Sequence, residues 1–301
     1  MNFQRPAFRR AASGSAILAA LLVLAACASN APAAVETGPI SLQRAEQVVA
    51  EPDRSAADRT SDVRRKPAQL LAFIGVQPGW EALDVFTGGG YTTELLARAI
   101  GPEGMVYGQY QPRDPGKDAP KPAAPEGGSA APAAMPAPAP AASAPRRTPA
   151  DTLADREREL QAAHVAAAPI VPVAARYDNP IPPVLTPAKL DLVTLMFNYH
   201  DTGFLGVDRA AMNRAIFAAL KPGGLYVIAD HAGRPGTGIS ESGTLHRIEE
   251  SFLRGEVEAA GFKLVDEGMF LHNPNDPRDQ NTPNPPQPKD EFVLKFVKPA
   301  S

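Results

Sequence analysis

The sequence has little cysteine and no excess of positive charge. Cys27 is the single cysteine among 301 residues, which excludes a disulfide framework, a thiolate metal site and a cysteine nucleophile in the folded domain. The formal net charge is −3, so the chain lacks the basic surface that nucleic-acid binding requires. Glycine and proline together number 57, too few for a collagen-like or wholly disordered chain. The 44% of hydrophobic residues are enough to build a core.

The amino terminus has the pattern of an export signal. Residues 1–10 carry three arginines and no acid, and residues 16–26 are an unbroken apolar run. This run is too short to span a bilayer, which takes about 20 apolar residues. We therefore predict a signal peptide over 1–26, whose removal would lower the net charge from −3 to −6.

The end of that apolar run, Leu24-Ala25-Ala26-Cys27, resembles the lipobox of bacterial lipoproteins. The resemblance implies cleavage before Cys27 and a diacylglycerol on its thiol, so the chain would be anchored to a lipid bilayer. Ala28 in place of aspartate implies the outer membrane, facing the periplasm. The alternative is an ordinary cleavage site with a cysteine nearby by chance. Residues 27–40 are predicted to be a tether.

A tract rich in proline and alanine interrupts the remaining chain. Residues 111–150 contain eleven prolines, and proline lacks the amide donor that helices and sheets require. We predict a disordered insertion there, within one domain over 41–300 that has about 235 residues available for folding.

Hydrophobic periodicity predicts strands that alternate with helices. Helices are predicted over 41–49, 62–73, 91–100, 152–168, 209–220 and 245–261. Strands are predicted over 82–86, 105–108, 170–173, 192–197, 225–229, 262–270 and 292–297. This order indicates an α/β fold: a mostly parallel sheet with helices on both faces and a C-terminal antiparallel hairpin.

The turn after the first predicted strand reads DVFTGGGY, over residues 84–91. Glycines there let the backbone turn sharply and approach a ligand, and the amides at the start of the next helix can donate to an anionic group. By itself the turn could equally serve helix–strand packing alone.

Further motifs follow in a fixed order: RRKPAQLLAF before the turn, then NYHD, LKPGGLYVIADH, LHRIEE and HNPNDPR. With them the chain, from about Asp58 to Pro299, resembles the class I S-adenosylmethionine-dependent methyltransferases with a Rossmann-like sheet. It resembles most an envelope-associated group of predicted methyltransferases. The resemblance implies S-adenosylmethionine as cofactor, with contacts from Asp84, Thr87, Gly88, Gly89, Gly90 and Gln109.

Two positions depart from the family pattern. Phe86 takes the place of the first glycine of the turn. Gln109 takes the place of the acid that in the family accepts both ribose hydroxyls. The lost charge-assisted hydrogen bond would weaken cofactor binding by about 1–3 kcal/mol.

Histidines and aspartates follow the fourth and fifth predicted strands. His200 and Asp201 follow one strand and His231 ends the next, so we expect them on one rim of the sheet, where His200 or His231 would act as general base. His246 would lean over the same rim. One alternative is that these histidines are structural and form hydrogen bonds with the backbone of the loops. Another is that they bind a metal ion in a hydrolase-like site, although their spacing matches no compact metal motif.

The sequence thus predicts a lipid-anchored methyltransferase of the cell envelope that acts on a small-molecule or envelope substrate. The alternative is a binding protein without catalytic activity on a methyltransferase fold, which Phe86 and Gln109 favour.

Overall fold

Seven strands form one sheet in the order β3-β2-β1-β4-β5-β7-β6. The strands are β1 (Glu81–Val85), β2 (Met105–Tyr110), β3 (Ile170–Ala174), β4 (Leu190–Met196), β5 (Leu220–His231), β6 (Lys263–Gly268) and β7 (Glu291–Val297). The first five run parallel, and β7 is antiparallel to both β5 and β6. The predicted sheet, mostly parallel with an antiparallel C-terminal pair, is confirmed.

Eight α-helices and two short 3-10 helices, Pro183–Leu185 and Met269–Leu271, accompany the sheet in the described part of the chain. The α-helices are α1 (Leu42–Ala50), α2 (Ala56–Arg65), α3 (Pro67–Ile74), α4 (Tyr91–Ile100), α5 (Pro149–Ala162), α6 (Asp201–Phe204), α7 (Arg209–Ala219) and α8 (Glu250–Ala259). Successive strand residues point to opposite faces, so Leu192 joins an apolar cluster with α3 and α4, while Val193 joins a second cluster with α7 and α8. Both faces of the sheet are therefore covered, as parallel strands require.

The computed structural model describes residues 1–2, 38–112, 147–283 and 285–300. The chain divides into two units, Met1–Val35 and Glu36–Ser301, and the sheet belongs to the second. The predicted signal peptide, the lipidation site Cys27 and most of the predicted insertion lie outside the described residues. Among the residues described, no helix combines the length and the apolar character needed to cross a membrane.

The ends of two predicted irregular segments are ordered. Ile40, at the end of the predicted tether, is buried, and its amide donates to the carbonyl of Val76 at 2.8 Å. Helix α5 begins at Pro149, inside the predicted insertion, because Thr148 and Asp151 cap it reciprocally.

Three helix predictions had wrong bounds. The helix predicted over 62–73 is two helices, because Lys66 adopts a left-handed conformation (φ 44°) and Pro67 opens α3. The helix predicted over 152–168 ends at Ala162. The helix predicted over 245–261 begins only at Glu250, because residue 248 is extended and exchanges backbone hydrogen bonds with the end of β5.

Candidate functional site

The glycine turn joins β1 to α4 at the point where the strand order reverses, between β1 and β4. In open α/β sheets ligands bind in the crevice at this point. A Cβ added to Gly89 would meet no described atom within 4 Å, and one added to Gly88 would meet only a carbonyl oxygen at 3.9 Å. The backbone at these two glycines therefore faces open space.

Gly90 has a different role from its two neighbours. A Cβ there would lie 2.9 Å from Leu153 and 2.8 Å from Arg156, both on α5. Gly90 also has a φ of 76°, which favours glycine. This glycine lets α5 pack against the turn and does not face the opening.

Asp84 lies at the base of the turn and is almost fully buried. Its carboxylate accepts hydrogen bonds from the hydroxyls of Thr93 at 2.7 Å and Thr194 at 2.8 Å. Burial raises the pKa of Asp84 to about 6, against the lowering effect of the hydroxyl donors. Asp84, on β1, thus links helix α4 to strand β4.

A small cavity of about 90 Å³ opens above Asp84. Its walls are formed by Arg65, Asp84, Phe86, Thr87, Gly88, Gly89, Tyr91, Thr92, Met196 and Asn198. Four of the six residues predicted to bind the cofactor line it, and Gly90 and Gln109 do not. Arg65, which the sequence did not single out, brings a guanidinium to this wall, 4.9 Å from the centre of the Tyr91 ring.

Gln109 is completely buried, and both ends of its amide are engaged. Its oxygen accepts a hydrogen bond from the Phe86 backbone amide at 3.1 Å, and its nitrogen donates one to the Ala175 carbonyl at 2.8 Å. Above it, the rings of Phe86 and Tyr177 stack face to face with centroids 3.5 Å apart. In this arrangement each end of the Gln109 amide makes one hydrogen bond inside the protein and the side chain is fully covered, so its predicted contact with a ribose hydroxyl requires the Tyr177 loop to move.

The predicted histidine rim forms as expected at the carboxyl ends of β4 and β5. The ring of His200 lies 5.4 Å from that of His231 and 5.5 Å from that of His246, measured between centroids. His200 is buried between two carboxylates: its Nδ1 is 2.6 Å from Asp230 and its Nε2 is 3.0 Å from Asp201.

The two predicted bases differ in their electrostatic surroundings. Burial lowers the pKa of His200, but the charges of Asp230 and Asp201 outweigh it and raise the pKa to about 10. Burial shifts the pKa of His231 well below its ordinary value. Both nitrogens of His200 face carboxylates, so this geometry does not favour it as the base, whereas His231 is neutral and available at neutral pH.

Glu291, the first residue of β7, stands beside His231. Its Oε1 lies 2.6 Å from the guanidinium of Arg64 and 2.9 Å from Nδ1 of His231. The second contact does not have hydrogen-bond alignment, and Nδ1 has no hydrogen-bond partner among the described residues. That nitrogen therefore has an unused hydrogen-bonding position, shielded from solvent.

A larger cavity of about 370 Å³ lies on the other side of Arg64. Arg64, Lys66 and Lys289 line it together with Glu291, His272 and neutral residues. Burial lowers the pKa of Lys289 to about 8. Arg64 lines this cavity and Arg65 lines the smaller one. Both guanidinium groups lie over the Phe197 ring, 4.8 and 5.0 Å from its centre. The two cavities are therefore neighbours.

Sequence reasoning missed Arg64, Arg65, Tyr177 and Glu291. Arg64 and Arg65 stand in a motif that carried the family resemblance, so a signal existed for them. Tyr177 and Glu291 stand in segments with no motif, and only the path of the chain brings them to the site.

No protein-family model matches the sequence, and no curated protein matches it. Among solved structures, the chain is similar to an S-adenosylmethionine-dependent methyltransferase from Aquifex aeolicus, with 14% identity, 86% of this chain and 99% of that chain covered, and a TM-score of 0.48. It is also similar to the [4+2]-cyclase SpnF (16% identity, 84% and 86% covered, TM-score 0.49). A third similar structure is a TehB-like S-adenosylmethionine-dependent methyltransferase from Corynebacterium glutamicum (14% identity, 85% and 95% covered, TM-score 0.42).

Proposed function

We propose that this chain is an S-adenosylmethionine-dependent methyltransferase that acts on a small, negatively charged acceptor. The observation that carries the proposal is the open backbone at Gly88 and Gly89, above the buried Asp84, at the switch point of the sheet. The resemblance in motifs, which includes the envelope-associated group, supports the same cofactor. When bound, S-adenosylmethionine supplies an electrophilic methyl group.

The residues of the turn fit one end of this cofactor better than the other. Tyr91 and Thr92, at the start of α4, line the opening, and the amides of a helix start can bind a carboxylate. The adenosine end would meet the Phe86–Tyr177 stack and the buried amide of Gln109. We therefore propose that the Tyr177 ring swings away when the cofactor binds.

The acceptor would lie in the larger cavity, which neighbours the smaller cavity at the turn. Three cations face one carboxylate there, so the cavity favours an acceptor with a carboxylate or phosphate group. Positioning accounts for most of the acceleration of a methyl transfer. If the accepting atom carries a proton, Glu291, which lines the cavity, would take it as the bond to the methyl group forms and pass it to Nδ1 of His231, 2.9 Å away. Asp201 and His200 would hold the surrounding loop.

Calorimetric titration of S-adenosylhomocysteine into the purified chain tests the cofactor site. We expect micromolar binding that Gly89→Asp abolishes, because the new carboxylate enters the opening without forcing a left-handed backbone. Gly255→Asp is the matched control, since a Cβ on this exposed helix residue also meets open space. Failure of the folded chain to bind would contradict the proposal, as would equal loss in both variants.

The acceptor class is tested separately from the cofactor. Transfer of labelled methyl from S-adenosylmethionine is measured with pairs of small molecules that differ only in a carboxylate or phosphate group. We expect turnover of the anionic member of a pair and its loss in Lys289→Ala. Turnover of the neutral member alone would contradict the assignment of the acceptor site.

We also propose that the protein is exported and anchored to the bacterial outer membrane through acylated Cys27. Labelling of cells with a radioactive fatty acid, followed by fractionation, should place labelled protein in the outer membrane. Cys27→Ser should remove the label. Unlabelled wild-type protein in the cytoplasm would contradict this proposal.

A second candidate function is ligand binding without catalysis. The stacked Phe86 and Tyr177 rings and the buried amide of Gln109 favour it, because they cover the position at which the family resemblance implies a ribose contact. Failure of the folded wild-type chain to bind S-adenosylhomocysteine would support this candidate over the first.

A further inference from the structure

Three donor atoms converge on the outer side of the histidine rim. Oδ1 of Asp201 lies 3.0 Å from Nε2 of His200 and 3.5 Å from Nδ1 of His246. One ligand atom from each of the three residues lies within 4.8 Å of the others. The same carboxylate oxygen thus faces a nitrogen of each histidine.

These separations match those between ligands of one metal ion. Transition metals lie about 2.0–2.2 Å from imidazole nitrogen and carboxylate oxygen. Two ligands at that distance are about 3.0 Å apart at a right angle and about 3.5 Å apart at the tetrahedral angle. Both measured distances fall in this range.

Two further side chains hold the donors in place. Asp230 is fully buried and lies 2.6 Å from Nδ1 of His200, which leaves Nε2 directed at the common centre. Asn198 donates to the other oxygen of Asp201 at 2.9 Å. A carboxylate behind a histidine is the usual support for a metal ligand, because it fixes the tautomer and the ring orientation.

The backbone of His246 provides an independent observation. His246 has a φ of 51°, a left-handed conformation that is costly for a residue with a side chain. The next residues are fixed by backbone hydrogen bonds between Ile248 and the end of β5. The conformation places the imidazole against Asp201 while a quarter of the side chain stays exposed, so an ion can reach the site from solvent.

We propose that His200 Nε2, Asp201 Oδ1 and His246 Nδ1 bind one divalent first-row transition metal ion, with the remaining positions open to water or a ligand. Binding would release to solvent the proton that His200 Nε2 otherwise shares with Asp201. Two imidazoles and one carboxylate suit Zn²⁺, Fe²⁺ or Co²⁺ better than Mg²⁺ or Ca²⁺, which prefer oxygen ligands. The site does not depend on the proposed methyltransferase activity.

Titration of Zn²⁺ into the full chain, after removal of metals with a chelator, tests the site. We expect one high-affinity equivalent, and we expect Co²⁺ at the same site to give an absorption spectrum that Zn²⁺ bleaches. His246→Ala should weaken binding at least 100-fold, and Asp230→Asn should weaken it about 10- to 100-fold through the lost support. Mg²⁺ should not compete.

His272→Ala is the matched control. His272 also lies 2.9 Å from a carboxylate, that of Asp290, but belongs to no such triad among the described residues, so this variant should bind Zn²⁺ like the wild type. Circular dichroism and thermal melts confirm that each variant is folded. Absence of a high-affinity equivalent in the wild type would overturn the proposal, as would undiminished binding by folded His246→Ala, since the contacts would then be hydrogen bonds alone.

Discussion

Replacement of Asp84 by asparagine should remove a loss of stability that the wild-type protein undergoes between about pH 4.5 and pH 7.5. Burial raises the pKa of this carboxyl group from 3.8 to about 6 in the folded state. The folded state therefore binds the proton more tightly than the unfolded state, and the unfolding free energy falls as the pH rises between these two values. At 1.36 kcal/mol per pKa unit, this carboxylate lowers the unfolding free energy by about 2 kcal/mol between pH 4.5 and pH 7.5. An asparagine has no such dependence.

Urea denaturation of wild type and Asp84→Asn at about pH 4.5 and pH 7.5 measures this effect. The substitution changes packing and hydrogen bonding by the same amount at both pH values. This contribution therefore cancels when the difference in unfolding free energy between the two proteins at about pH 4.5 is subtracted from the difference at about pH 7.5. We expect the variant to gain about 2 kcal/mol relative to wild type at the higher pH. Asp279→Asn, at an exposed carboxylate, should show no such gain. A difference that does not change with pH would refute the assignment of an unfavourable buried charge to Asp84.

Two other substitutions have definite expected outcomes. Tyr177→Ala should tighten S-adenosylhomocysteine binding about 2- to 10-fold in calorimetry, because the Phe86 stack, worth about 0.5–1.5 kcal/mol, need no longer break; weaker binding would show that the ring contacts the ligand. Arg247→Ala should lower the unfolding free energy by about 3–5 kcal/mol, because it leaves Asp276 buried without its partner 2.9 Å away. Arg254→Ala, which removes an exposed pair, should cost less than about 0.5 kcal/mol in the same denaturation assay.

The strands and the rim could be predicted because their signals are local. The apolar run at 192–197 indicated a parallel strand covered on both faces, and β4 is such a strand. The carboxyl ends of adjacent parallel strands meet at one edge, so His200 and His231 were expected to be neighbours. The order of the strands does not show which of the two histidines acts as the base. That depends on the pKa of each imidazole, which is set by the carboxylates and the burial around it.

Other parts of the site depend on contacts between distant segments. Gln109 was predicted to face a ligand, but its amide is taken up by backbone groups of residues 86 and 175. Nothing in the local sequence indicates that Tyr177 folds back over Phe86. Glu291 reaches His231 because β7 enters the sheet beside β5, in a register that pairs these two residues.

The position of β7 also has a consequence for the order of folding. Strand β6 pairs only with β7 among the described strands, so it has no place in the sheet until the later segment has inserted beside β5. The pairing of β5 with β7 brings together residues about 60 positions apart in the sequence. The chain loses conformational entropy when this loop closes, before the contacts between the strands stabilise it. Glu291 reaches His231 in the same step, so this pair of side chains should come together late in folding. The glycine turn needs only β1 and α4 and can form earlier.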